Sequence, residues 1–306
     1  MAHDEHHSHH HGHAHGHAHG HAHTQAPGGR DWAAFGARLE REGELVRPVH
    51  DELIADICAA LGDRAVRRVL DLGSGPGVAT TLLAERFPQA HATAVDASEP
   101  LLALAAERAA RVGVADRVDT AVVDLEQPLG TLAAAGAADV VWASMVLHHV
   151  ASLPATLAEI RGVLAPGGVL ALVEFGDERR ALPEHAVPER PGFVERHADV
   201  TRELLAAHLP AGALEIDWPS ALVAAGLEVV THRRVVMERP APLDAGERAF
   251  AKHSLEMAAH VGLHRFDDLD LLTLARLLDD DHPMSVMRRD DLPLRITRTI
   301  AVARRP

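Results

Sequence analysis

Three glycines at alternate positions, Gly73, Gly75 and Gly77, close a short apolar run and open a helical one, and this junction constrains the chain more than any other stretch. Val66 to Leu72 has β character, and Val78, Leu82, Leu83 and Phe87 recur at helical spacing, so the segment reads as strand, tight turn, helix. Glycines tolerate positive φ and let a ligand approach the backbone without meeting a Cβ. A dinucleotide fingerprint needs G-x-G-x-x-G with a pyrophosphate resting on free amides. Here Val78 stands where the last glycine belongs, Pro76 removes an N–H, and Asp71 sets a carboxylate two residues before Gly73. A cationic ligand suits such a loop better than a phosphate.

The rest of the chain alternates strand and helix patterns. Trp32, Phe35 and Leu39, then Leu53, Ile54, Ile57 and Leu61, predict two helices joined near residues 43–48. After the glycine loop, residues 90–95 predict a second strand ending in Asp96, 21 positions beyond Gly75. A carboxylate there can accept both ribose hydroxyls of a nucleoside, and Asp96 or Ser98 can equally cap the following helix. Further strands are expected at 118–123, from Asp139, and from Gly168 to Phe175, then at 227–237 and 294–302. Strands separated by helices imply an α/β, doubly wound, mostly parallel sheet with helices on both faces. In such a sheet ligands bind at the carboxyl ends of the strands, which would gather Gly73, Asp96, Asp124, Ser144 and Glu174.

At the loop Asp71-Leu-Gly-Ser-Gly-Pro-Gly77 the sequence resembles motif I of class I, Rossmann-like S-adenosylmethionine-dependent methyltransferases. The segment Leu147-His-His-Val150 and the Pro166-Gly-Gly168 turn are similar to small-molecule members of that family. The resemblance implies a seven-stranded order 3-2-1-4-5-7-6 with the last strand antiparallel, and S-adenosyl-L-methionine as cofactor. It implies cofactor contacts from Asp71, Gly73, Ser74, Gly75, Gly77, Asp96, Ala97, Asp124, Leu125 and Ser144, with Asp124 facing the adenine amino group. A turn aspartate is the alternative for Asp124. The Asn/Asp-Pro-Pro-aromatic loop of the branch that methylates base and glutamine amines is absent from residues 143–146.

Methyl transfer asks the protein to align an acceptor, exclude water and, for a hydroxyl or ammonium, remove a proton. His149 and His148, just past the fourth strand, are the candidate bases, and Glu174 is a candidate for orienting an acceptor. Packing beneath the cofactor is the alternative for the histidines, and a salt bridge for Glu174. His185 and His197 are weaker candidates within residues 176–220, where Pro183, Pro188, Pro191, Pro210 and Pro219 interrupt the pattern and suggest a substrate lid. Cys58, the only cysteine, lies before the core, so a thiolate-dependent methylation is disfavoured.

Composition narrows the partners. A net charge of −14 and nine aromatic residues, six Phe and three Trp, argue against nucleic acid. No apolar stretch is long enough to span a bilayer and no signal peptide is seen, so a cytoplasmic protein acting on a small molecule, monomeric or homodimeric, is expected. The domain organisation expected is a His-rich disordered tail (1–29) and a methyltransferase domain (30–306). The latter divides into a helical cap (30–64), a cofactor-binding core (65–175), the lid (176–220) and C-terminal strands (221–306) with a helical insertion (240–291). Twelve of the 24 histidines fall in the first 23 residues, and His11, His13, His15, His17, His19, His21 and His23 are expected to bind zinc, nickel or copper away from the catalytic chemistry. Two other functions stay open: an NAD(P)-dependent oxidoreductase, and a metal-binding or regulatory protein acting through the tail.

Overall fold

The computed structural model describes residues 31–176, 182–261 and 263–306. The histidine tract therefore lies outside the described residues. Helices α1 (Trp32–Leu45) and α2 (Arg47–Leu61) precede β1 (Arg68–Leu72). Then follow α3 (Val78–Arg86), β2 (His91–Asp96), α4 (Glu99–Val112), β3 (Val118–Val122), α5 (Gly130–Ala134), β4 (Ala138–Ser144), α6 (Leu153–Val163) and β5 (Leu164–Phe175). The C-terminal part carries α7 (Phe193–His208), α8 (Trp218–Ala224), β6 (Glu228–Arg239), α9 (Ala245–Val261), α10 (Asp268–Leu278) and β7 (Leu294–Arg304). Proline opens several of these helices: α2, α4, α6 and α8 each hold one in the first turn, where its missing N–H leaves no bond unmade.

The sheet order is β3-β2-β1-β4-β5-β7-β6, as the resemblance implied. Strands β1 to β5 pair in parallel, and β7 runs antiparallel to both β5 and β6. Because β1, β4 and β5 are covered on both sides, they read as continuous apolar runs rather than alternating ones. One face packs Val69, Val140, Trp142 and Ala171 against α2 and α3, and the same core continues into α7, α9 and α10. The other packs Leu70, Val141 and Leu172 against α6 and α8.

The two leading helices join at Val46, within the expected residues 43–48, and two other local expectations are corrected. The Pro166-Gly-Gly168 segment is an irregularity within β5, not a turn ahead of it: pairing with β4 starts at Ala138 and Leu164, slips, and resumes at Val140 and Val169. Gly168 is needed there because a Cβ would come within 2.9 Å of the Ala138 carbonyl oxygen. Finally, the proline-broken stretch contains the 16-residue helix α7. Pro183, Pro188 and Pro191 lie before that helix, Pro210 after it, and Pro219 opens α8.

Candidate active site

The glycine loop joins β1 to α3, and its conformation depends on glycine throughout: φ is +67° at Gly73, +52° at Gly75 and +80° at Gly77. A Cβ on Gly73 would lie 2.4 Å from Val146, and one on Gly77 2.7 Å from Ala105. The loop amides are engaged within the protein. Gly73 and Ser74 both donate to the Val95 carbonyl, Gly75 donates to Oδ2 of Asp96 at 2.9 Å, and Gly77 donates to the Ser74 carbonyl. Pro76 has no N–H to offer. From Gly73 to Gly77, therefore, the loop presents no spare donor of the kind a pyrophosphate cradle requires.

What surrounds the loop is acidic. Asp71 is buried, accepts from Thr80 Oγ1 at 2.5 Å, and burial pushes its carboxyl up to about 7. Asp96 uses both oxygens on backbone amides, Oδ2 on Gly75 and Oδ1 on Ser98 at 2.8 Å. Each oxygen keeps a second lone pair for a ligand hydroxyl. The cap expectation resolves here: Ser98 stands at the N-cap of α4, yet its side chain makes no capping bond. Ser74 Oγ and Ser98 Oγ are both buried with no partner. An unmet buried hydroxyl costs about 1–3 kcal/mol, so these two oxygens fit a ligand with polar groups of its own. Asp124 is exposed and its Oδ1 accepts from the Glu126 amide at 3.0 Å, a turn geometry. Ala97 is exposed beside Asp96, and Leu125 is half-buried against the α6 core. These groups fit a nucleoside ligand with cationic substituents, such as S-adenosylmethionine, and oppose a polyphosphate.

At the end of β4, Ser144 is half-buried and Met145 takes a φ of +55°, the single positive φ among the described non-glycine residues. This bend turns Val146 onto Gly73 and starts the short turn Leu147–His149. Glu174, buried at the end of β5, holds that turn: Oε1 accepts from the Leu147 amide at 2.9 Å, and Oε2 lies 2.5 Å from Nδ1 of His148. His148 is buried between Phe175 at 4.5 Å and His149 at 4.1 Å, centroid to centroid. His149 is exposed. The sequence grouped these three as catalytic candidates. The structure brings them together but sets only the His149 ring at the surface. His185 is exposed, whereas His197 is a core residue whose Nε2 meets the Leu255 carbonyl at 3.1 Å.

Helix α1 covers the loop, with Leu39 Cδ1 3.7 Å from where a Gly75 Cβ would stand. Sequence patterning missed how it fits: Gly36 and Gly43 lie one above the other, two turns apart, and face Leu104 and Val78. Buried Arg108 then ties α1 to α4, donating to Glu40 at 2.5 Å, to Glu44, and to Thr81 Oγ1 at 2.9 Å. Among the described residues no cluster of three or more His, Cys, Asp or Glu could hold a metal, and no helix is long and apolar enough to cross a membrane.

Sheet order and glycine loop together define a Rossmann-like nucleoside-cofactor domain of the methyltransferase topology. Comparison with known proteins agrees: residues 69–168 match a family described as a methyltransferase domain. Trans-aconitate 2-methyltransferase of Streptomyces avermitilis is 35% identical over 167 residues, which is 53% of this chain and 60% of that one. The enzyme of that name from Rhodopseudomonas palustris BisB18 is 36% identical over 182 residues, 59% and 64% of the two chains. The matches thus span less than two thirds of these relatives. Among solved structures, a protein of Bacillus halodurans C-125 provisionally described as a methyltransferase shares the fold, with a TM-score of 0.50 at 17% identity over 84% of this chain and 99% of that one. Residues 69–168 thus carry a methyltransferase domain, set in a sheet with the strand order of the class I S-adenosylmethionine-dependent methyltransferases.

Proposed function

We propose that the chain transfers a methyl group from S-adenosylmethionine to a small organic acceptor by in-line displacement, and that a carboxylic acid of the trans-aconitate kind is the acceptor to try first. The cofactor reading is carried by one observation: each amide of the loop from Gly73 to Gly77 is engaged internally while Asp71 and Asp96 face the same region. That arrangement disfavours the alternative of a dinucleotide oxidoreductase. The acceptor class is supported by the names of the relatives.

When bound, S-adenosylmethionine supplies an electrophilic sulfonium methyl. Asp96 accepts ribose hydroxyls, Ser74 and Ser98 satisfy polar groups of the amino-acid and nucleoside halves, and Asp124 accepts from the adenine amine. Ser144 and the backbone at Ala97 and Leu125 complete the binding surface. Buried Asp71 holds Thr80 behind the loop, and with its carboxyl pushed up to about 7 it gains negative charge as pH rises through that value. His148 and Glu174 act as positioning residues that fix the turn after β4. His149 is the exposed base for a hydroxyl or ammonium acceptor, and a carboxylate acceptor has no proton for it to remove. Residues 182–220, with α7, close over the acceptor. The histidine tract of residues 11–23 binds transition metal independently of this chemistry, which zinc titration of the full chain against one starting at Arg30 tests.

Calorimetry with S-adenosylmethionine, S-adenosylhomocysteine and NAD, followed by mass spectrometry of products from an acid panel, tests the reading. Micromolar binding of the sulfur ligands and a methyl ester product are expected. NAD binding without either sulfur ligand would overturn it.

A further inference from the structure

Helix α1 lies over the glycine loop with little apolar contact to keep it there. Gly36 is its one buried residue, while Trp32, Phe35 and Leu39 are half-buried, and Leu39 is the side chain that reaches the loop at Gly75. Segments with few buried apolar contacts open at low free-energy cost, so polar contacts decide whether this helix stays down. They come from two sides. Arg108 of α4 binds Glu40 and Glu44, and Arg111 binds Glu40 as well. On the other side, Nη1 of Arg38 lies 3.0 Å from Nε2 of His253, in the middle of α9.

The chemistry of this second contact fixes its direction. A guanidinium can only donate, so His253 Nε2 accepts and the ring carries its proton on Nδ1. Nδ1 faces Oε2 of Glu256 at 3.6 Å, which agrees with that tautomer. Arg38 is itself steered from within α1: Nη1 also donates to Glu42 at 2.8 Å, and its guanidinium carbon lies 5.0 Å from the Phe35 ring centroid. His253 stands on a firmer element, since Ala251, Leu255 and Ala258 of α9 are buried in the main core. The Leu255 carbonyl then meets Nε2 of His197, a buried residue of α7. Contacts thus run from the glycine loop through Leu39 and Arg38 to His253 of α9, and on to α7, the helix set over the acceptor in the reading above.

We infer that Arg38 and His253 couple the cofactor loop to the acceptor-side helices, so that a ligand drawing α1 onto the loop also steadies α9 and α7. This rests on the methyltransferase reading above. Both are positioning residues that act through α1 and α9 rather than on the ligands. Coupling between two binding sites is reciprocal, so a bound acceptor tightens cofactor binding by the same factor.

Hydrogen–deuterium exchange of the full chain, with and without S-adenosylhomocysteine, is the test. The ligand should slow exchange at residues 73–77 and in α1, and by about fivefold or more in α9 and α7, the low end of ordinary coupling between sites. In Arg38→Ala and in His253→Ala the slowing should persist at residues 73–77 and vanish from α9 and α7. His253→Gln, whose amide oxygen can still accept from Arg38, should restore it. Protection confined to residues 73–77 and α1 in the parent overturns the coupling, as does protection of α9 and α7 that survives either alanine variant, or a glutamine variant no better than alanine. No protection at residues 73–77 sinks the cofactor reading, and the coupling with it.

Discussion

Oε1 of Glu174 accepts the Leu147 amide and Oε2 lies 2.5 Å from Nδ1 of His148, so one carboxylate at the end of β5 fixes the turn that follows β4. Both partners are buried, and removing the carboxylate would leave an amide and an imidazole unmet. Glu174→Leu should cost roughly 2–4 kcal/mol in chemical denaturation. Glu174→Gln keeps one acceptor oxygen and can donate to the other imidazole tautomer, so its loss should be about 1 kcal/mol. A leucine variant as stable as the parent would show that the contact is idle.

Asp71 and His50 set opposing pH dependences. Burial raises the Asp71 carboxyl to about 7, so the folded chain holds a proton that the unfolded chain releases, and this contribution is lost as pH rises from about 4 to about 7. His50 is lowered to about 4, so the unfolded chain takes up a proton below 6.5 and its contribution is lost as pH falls from 6.5 to about 4. Each is on the order of 3–4 kcal/mol, and between pH 4 and 6.5 they largely offset one another. Asp71→Asn should therefore steepen the loss of stability on acidification, and His50→Gln should make stability fall as pH rises. Midpoints of urea unfolding from pH 4 to 8 check both signs, and parallel profiles would refute them.

Gly73→Ala faces two costs: a φ of +67° and a Cβ 2.4 Å from Val146. The backbone part is about 1–2 kcal/mol. Adding Val146→Ala should recover the steric part and leave the backbone part. A double-mutant cycle by thermal unfolding reads the coupling, and strict additivity would mean the two residues do not meet.

Asp96 anchors the loop through Gly75 and α4 through Ser98. Asp96→Ala should lower S-adenosylhomocysteine affinity by at least tenfold, about 1.4 kcal/mol or more. Asp124→Ala, at an exposed turn, should lose less. Calorimetry on both variants decides the ranking, and equal losses would place Asp124 on the ligand as firmly as Asp96.

Most of the frame was legible because it rests on short-range signals. Alternating glycines, an acid 21 positions on, and apolar runs between helices needed no tertiary information. What escaped depends on packing across distant elements. His197 looked like a solvated lid histidine because nothing local reveals that Leu255 accepts from its ring. Helix α7 was hidden by the prolines that flank it, Pro191 before and Pro210 after, because their breaking effect was extended over the residues between them. Gly36 and Gly43 have meaning only once Leu104 and Val78 are set against them. Asp71 was read as charge for a cation, and only the fold adds that it is buried opposite Trp142.

The closed set of loop amides also bears on selectivity in a crowded metabolite pool. Adenosine di- and triphosphates share the adenosine half of the cofactor and would satisfy Asp96 equally well. Their phosphates would then meet carboxylates and a proline where donors are needed. Discrimination arises from this mismatch rather than from tighter attraction of the right ligand. Under the proposed cofactor reading, the loop that receives one adenosine compound would reject its phosphorylated relatives.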